Sequence, residues 1–118
     1  MTNKDNDKPL YLALYNLIKY LYLIIKNYPK EYKYTLGEDT LRLAWSSLDY
    51  IIEANHMPNS DKQKYINKAI IIFNRLKYRL RLASELKIIN HNSYAYFIKQ
   101  SAEINKMLNG WLTWSKRI

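Results

Sequence analysis

Residues 61–89 read DKQKYINKAIIIFNRLKYRLRLASELKII, and apolar side chains recur in them at the three- and four-residue spacing of a helix: Ile66, Ala69, Phe73, Leu76, Leu80, Ala83. The stretch is predicted to form one long amphipathic helix, so the rest of the chain must cover its apolar stripe. Its charge is one-sided. No carboxylate stands between Asp61 and Glu85, whereas Lys62, Lys64, Lys68, Arg75, Lys77, Arg79 and Arg81 all do. A solvated helix face ordinarily mixes signs, because Glu and Lys four residues apart support each other and like charges repel about as much. Lys64, Lys68, Arg75 and Arg79 follow at steps of four, seven and four, and are expected to line a single face. Lys77 and Arg81 are expected as a second short column beside it. A polyanionic partner is the simplest reason to tolerate such repulsion.

Outward from this helix, Gly37, Gly110, Pro9, Pro29 and Pro58 are the only glycines and prolines, and no stretch alternates apolar with polar as a half-buried strand does. Helices without sheet are expected. The first is predicted over residues 9–27, with Pro9 at its first position and Leu10, Leu14, Leu17, Leu21, Ile24 and Tyr28 as its stripe, stopping before Pro29. Residues 28–34, YPKEYKY, read as a connection. Thr35 and Glu38 form a capping box that would open the second helix. One stripe of that helix is Leu36, Leu43, Ser47, Ile51 and Ala54, with Leu41, Trp45, Leu48 and Ile52 beside it. NHMPN at 55–59 is a breaker, and Ser60 with Gln63 supplies a second capping box. After a break at 90–92, a fourth helix is predicted from Ser93 to about Trp114 through Tyr94, Phe97, Ile98, Ala102, Leu108 and Leu112. Four helices with short connections pack most simply as an all-α, antiparallel up-down-up-down four-helix bundle. That bundle would fill residues 9–118, after a disordered tail at 1–8.

The chain has 118 residues, enough for one domain with a real core, and its 48% apolar content is that of a folded protein. Its net charge of +9 admits nucleic acid, an anionic membrane surface or an acidic protein as partner. There is no cysteine, hence no disulfide framework or thiolate zinc site. The opening MTNKDNDK lacks the apolar core of a signal peptide, and a cytoplasmic protein is expected. Residues 10–25 hold one charge, Lys19, but fall short of the ~20 apolar residues that span a bilayer.

AIIIF at 69–73 and LYLII at 21–25 are each apolar all the way round a helix. Such turns are normally buried on every side, which a small bundle does not achieve alone, so self-association or a covering partner is expected.

Catalysis finds little to work with. His56 and His91 fall in predicted loops, Asp5 and Asp7 in the tail, and Glu38 and Asp39 at a helix start, where capping accounts for them. No glycine-rich phosphate loop is present. A non-enzyme is expected, without cofactor or metal. The functional signal is the basic face of the third helix, Lys64, Lys68, Arg75, Lys77, Arg79 and Arg81, whose guanidinium groups suit phosphate oxygens. Tyr32 and Tyr34, beside Lys30 and Lys33, are candidate stacking platforms for unpaired bases. Trp111 and Trp114, three apart, belong either to packing against the bundle or to a partner interface.

Several of these runs, taken in order, carry a resemblance: YPKEYKYTLGE at 28–38, A-x-x-x-L-D-Y-I-I-E-A-N at 44–55, LRLASELKII at 80–89 and MLNGW at 107–111. Together they resemble the accessory variability determinants of diversity-generating retroelements. The resemblance implies a basic four-helix bundle assembled as a homopentamer, which binds nucleic acid, RNA or DNA, and associates with the element's reverse transcriptase during mutagenic copying of template RNA. It implies no catalytic residues. By position it places Lys30 in a tyrosine-proline-lysine segment and Arg81 in an arginine-leucine-alanine segment. The four-helix proteins of ribosomal RNA intervening sequences are similar, but carry an arginine-alanine pair and a glutamate-glycine ending where this chain has Leu43 and Ala44, then Ala54 and Asn55. Asn109 stands where the retroelement family would have a glycine. The alternatives are a protein of the intervening-sequence type and an oligomeric scaffold whose charge is incidental.

Overall fold

The computed structural model describes residues 9–117; the tail expected at 1–8 lies outside them, as does Ile118. Four long helices carry the fold: α1 (Pro9–Ile25), α2 (Glu38–His56), α3 (Asn59–Glu85) and α4 (His91–Ser115). Among the described residues there is no strand. α2 packs most extensively on α3, α3 on α4, and α1 closes the bundle against α2 and α4. The expected up-down-up-down bundle is the observed one, measuring 46 × 26 × 22 Å.

The stripe of α3 is buried as its spacing dictates, since Ile66, Ala69, Phe73, Leu76, Leu80 and Ala83 are all closed to solvent. α2 offers Leu43, Ala44, Leu48 and Ile51 to the same core, and α1 offers Leu14, Leu17, Ile18 and Leu21. Two polar groups cross the core where they can be satisfied. Ser47 Oγ donates to the Ala69 carbonyl at 3.2 Å, and the Tyr11 hydroxyl to the Ile51 carbonyl at 3.3 Å. The buried Tyr28 is pushed up to a pKa of about 12 by desolvation.

The stripe expected on the fourth helix needs correction. Ile98 and Ala102 are exposed, while Ser101 and Ile104 take the inward positions with Phe97 and Leu108. Ser101 is tolerated there because its hydroxyl donates back to the Ile98 carbonyl at 3.0 Å.

Neither expected capping box forms. α3 starts directly after Pro58, and no side chain caps its first turn, so Ser60 and Gln63 lie inside the helix. Residues 28–34 are not a loose connection either. After Pro29 the chain turns helical at Lys30–Tyr32 and widens into a π-helical turn at Lys33–Gly37 that runs straight into α2. Thr35 sits within that turn, its hydroxyl donating to the Glu31 carbonyl at 2.9 Å. Gly37 is required by close approach: a Cβ there would lie 2.7 Å from Ile25 Cγ2. α4 has a side-chain cap, Asn90 accepting from the Ser93 amide at 2.8 Å. It passes through Asn109 and Gly110 without a turn.

Two helix ends are closed by lysines. α3 ends in a Schellman arrangement in which the Ile88 amide donates to the Ala83 carbonyl at 2.8 Å and the Lys87 amide to the Ser84 carbonyl at 3.0 Å. Lys87 occupies the left-handed position there, with φ of 61°. At the end of α2, Lys62 reaches back from α3 and its ammonium donates to the carbonyls of Ala54, Asn55 and Met57 at 3.0, 3.1 and 2.9 Å. A buried cation thus satisfies carbonyls that the helix cannot, at the end where the backbone dipole favours positive charge.

Candidate nucleic-acid interface

Of the seven cations in α3, Lys62 is withdrawn into this cap, and six remain at or near the surface. They do not form adjoining columns. At ~100° per residue, Lys77 is two positions from both Arg75 and Arg79 and therefore points to the other flank of the helix. Contacts agree with this geometry. Lys64, Lys68, Arg75 and Arg79 lean toward α2, where Lys68 stands over the rings of Tyr50 and Tyr65 at 5.6 and 5.2 Å and Arg79 bonds Asp39. Lys77 and Arg81 lean toward α4, beside Tyr94 and Ile98. The second column expected beside the first lies instead across an outer ridge that carries exposed Ile71, Tyr78 and Leu82.

The charges also differ in their commitments. Lys64 lies 5.8 Å from the centroid of the Tyr65 ring, and with Lys68 forms a cation and tyrosine cluster that leaves N–H donors for a ligand. Arg75 is exposed, and no carboxylate pairs with it among the described residues. Arg79 donates to Asp39 Oδ2 at 2.8 Å, and Arg42 pairs with the other oxygen of that carboxylate. The Arg79 hydrogen bond is the main cause that holds Asp39 below the ordinary carboxylate range; burial opposes it, and the Arg42 hydrogen bond adds a smaller lowering. Arg81 pairs with Glu85 at 3.1 Å, which raises the guanidinium pKa further.

Lys30 is exposed and Lys33 half-buried in the segment that leads into α2. The pairings of Asp39 with Arg79 and of the Ala54 carbonyl with Lys62 fix α2 antiparallel to α3. Lys30 and Lys33 therefore lie toward the Arg79 end of the basic face, while Lys64 and Lys68 lie at the other end, ~20 Å away along α3. Of the two candidate stacking tyrosines, Tyr34 is exposed, whereas Tyr32 packs against the core. His56 and His91 occupy helix ends and not loops: His56 closes α2 with its Nδ1 2.8 Å from the Ile52 carbonyl, and His91 opens α4. No three His, Asp or Glu side chains gather as a metal site requires among the described residues. No helix among them is long and apolar enough to cross a membrane.

An aromatic cluster between α1 and α2 escaped the sequence reading. Trp45 Nε1 donates to the Tyr22 hydroxyl at 3.0 Å, and the rings of Trp45 and Tyr15 meet edge to face at 6.5 Å, all three side chains reaching solvent. Its signal was present: Tyr15 and Tyr22 are seven apart on the flank of the first helix's stripe.

The described residues form an all-α four-helix bundle, and seven of the chain's 19 lysines and arginines stand on α3. The family model described as bAvd-like matches residues 10–115, and the chain belongs to that family, the accessory variability determinants of diversity-generating retroelements. No curated protein matches the chain.

Proposed function

We propose that the chain is a non-catalytic, nucleic-acid-binding subunit that works in the cytoplasm beside the reverse transcriptase of its retroelement and supports mutagenic copying of template RNA. The observation that carries this reading is the flank of α3 where Lys64 and Arg75 are exposed and Lys68 is half-buried over two tyrosine rings, with no carboxylate paired to any of the three among the described residues. Its contacts are with backbone phosphates, because cations strung along a helix at these spacings carry no pattern that would distinguish bases. Lys30 and Lys33 extend the same field beyond the Arg79 end.

The protein works as a homo-oligomer, a pentamer in the family's pattern. Support comes from apolar side chains on the outer faces of α1 and α3: Leu12 and Leu23 on one, Ile71 on the other, each more than half exposed in the single chain. The polymerase, itself basic because it grips nucleic acid, is met through apolar anchors and shared RNA rather than net charge. Trp114, 44% exposed near the end of α4, is such an anchor.

The test is a salt titration of RNA and DNA binding. Each phosphate neutralised contributes about −0.9 to the slope of log K against log salt on duplex DNA. Lys64→Glu, Lys68→Glu and Arg75→Glu together flatten that slope with helicity unchanged; Arg79 is spared because a carboxylate there would face Asp39. Binding indifferent to the triple variant would assign the chain to a scaffold with incidental charge.

A further inference from the structure

On the flank of α3 away from the Lys64, Lys68 and Arg75 column, an open groove of about 380 Å³ runs between α3 and α4, lined by Asn74, Lys77, Tyr78, Arg81, Tyr94 and Ile98. Its size is within the ~300–1,000 Å³ of small-ligand clefts. Its chemistry is mixed in a particular way. Tyr78 is 67% exposed, the most open of the large hydrophobic side chains in the described residues, and Ile98 offers a further apolar surface. Lys77 and Arg81 supply two cations beside it, and the Asn74 amide supplies both a donor and an acceptor.

We infer that this groove seats one unpaired nucleotide of a single strand, with its base stacked on Tyr78 and its phosphate held by Lys77 and Arg81. The inference rests on the nucleic-acid reading above and adds a second, structurally separate contact to it. Charge complementarity selects the occupant: two cations beside an open aromatic ring match a unit that is anionic at one end and a flat π-face at the other. A duplex does not fit, because its bases are already stacked and it offers only phosphates and groove edges. The Arg81 and Glu85 pair does not bar the phosphate. Its two side chains are 62% and 61% exposed, and a solvated pair of this kind is readily exchanged for a phosphate. The polyanion would then lie across both flanks of α3, phosphates on one side and an extruded base on the other.

The experiment compares binding of a single-stranded RNA and of a duplex of equal length, at one salt concentration, by the full chain and by Tyr78→Leu and Tyr78→Phe. Leucine keeps the apolar bulk and removes the π-face; phenylalanine keeps both. The expected result is single-strand binding weakened roughly 5- to 100-fold by Tyr78→Leu, duplex binding unchanged, and Tyr78→Phe close to the parent. Light scattering on each variant shows the same assembly, which excludes loss through dissociation. Equal weakening of both forms, no weakening of either, or a preference of the parent groove for an acidic peptide over the oligonucleotide overturns the inference and leaves the Lys64, Lys68 and Arg75 face standing. A parent protein that binds neither form removes the nucleic-acid reading itself.

Discussion

Asp39 Oδ2 accepts a hydrogen bond from Arg79 Nε at 2.8 Å, tying the first turn of α2 to the C-terminal part of α3 across 40 positions of sequence. One bond of the basic helix is thus turned inward, to register rather than to a ligand. Because the folded-state pKa of Asp39 is depressed, its contribution to stability is present above the unfolded carboxylate value and is lost as pH falls through the folded one. An NMR titration is expected to place the Asp39 midpoint below 3.8. In Arg79→Met it moves back toward that value, and acid unfolding of the two proteins converges at the lowest pH. An Asp39 midpoint untouched by Arg79→Met would mean that Arg42 alone holds the carboxylate.

Lys62 is expected to behave as a structural residue. Lys62→Met keeps most of the buried stem and strips the carbonyls of Ala54, Asn55 and Met57 of a charged donor, which costs about 1.5–3 kcal/mol. Chemical denaturation reads the loss, while the salt slope of nucleic-acid binding stays that of the parent.

At Lys87 the opposite sign is expected. A side chain in the left-handed region costs about 1 kcal/mol, and Lys87→Gly removes that cost without touching the amide bonds that close α3. The melting temperature therefore rises by a few degrees. A fall would show that the Lys87 side chain has a contact worth more than the strain.

Ile71, 52% exposed, tests assembly. Ile71→Asp leaves the core of a single bundle intact and places a charge on the outer face of α3. Light scattering is expected to find the parent as an oligomer that persists in high salt, and the variant as smaller species. Nucleic-acid affinity falls with it, since separate bundles lose the combined grip of several basic faces.

The fold was legible because the α3 stripe keeps its spacing from Ile66 to Ala83 without a break. Lys62 was legible too, in hindsight of geometry: it stands four before Ile66, on the apolar azimuth and not among the outward cations, and a lysine on a core stripe needs carbonyls to meet. At the helix starts, Thr35 with Glu38 and Ser60 with Gln63 satisfy the spacing of a capping box without forming one. Pro29 and Pro58, extended in backbone, start the turns earlier and leave those hydroxyls inside helix. Along the sequence the two flanks of α3 look like neighbours, and only the rotation of ~100° per residue separates them. What no single helix encodes is pairing between helices, and Asp39 with Arg79, Trp45 with Tyr22 and the Tyr78 groove all belong to that kind.

The π-helical turn at Lys33–Gly37 amounts to one surplus residue absorbed inside a helix, the Glu38 amide reaching back to the Lys33 carbonyl. On its N-terminal side Tyr28 and Tyr32 lie against the core, and on its C-terminal side Thr40 and Leu43 do. The turn is a phase adjuster between two segments that each have their own correct angle. Deleting a single residue there would regularise the hydrogen bonds and at the same time swing everything before it by ~100°, taking the tyrosines out of the core. At this joint the chain is intolerant of shortening even though it looks, by helix geometry alone, one residue too long.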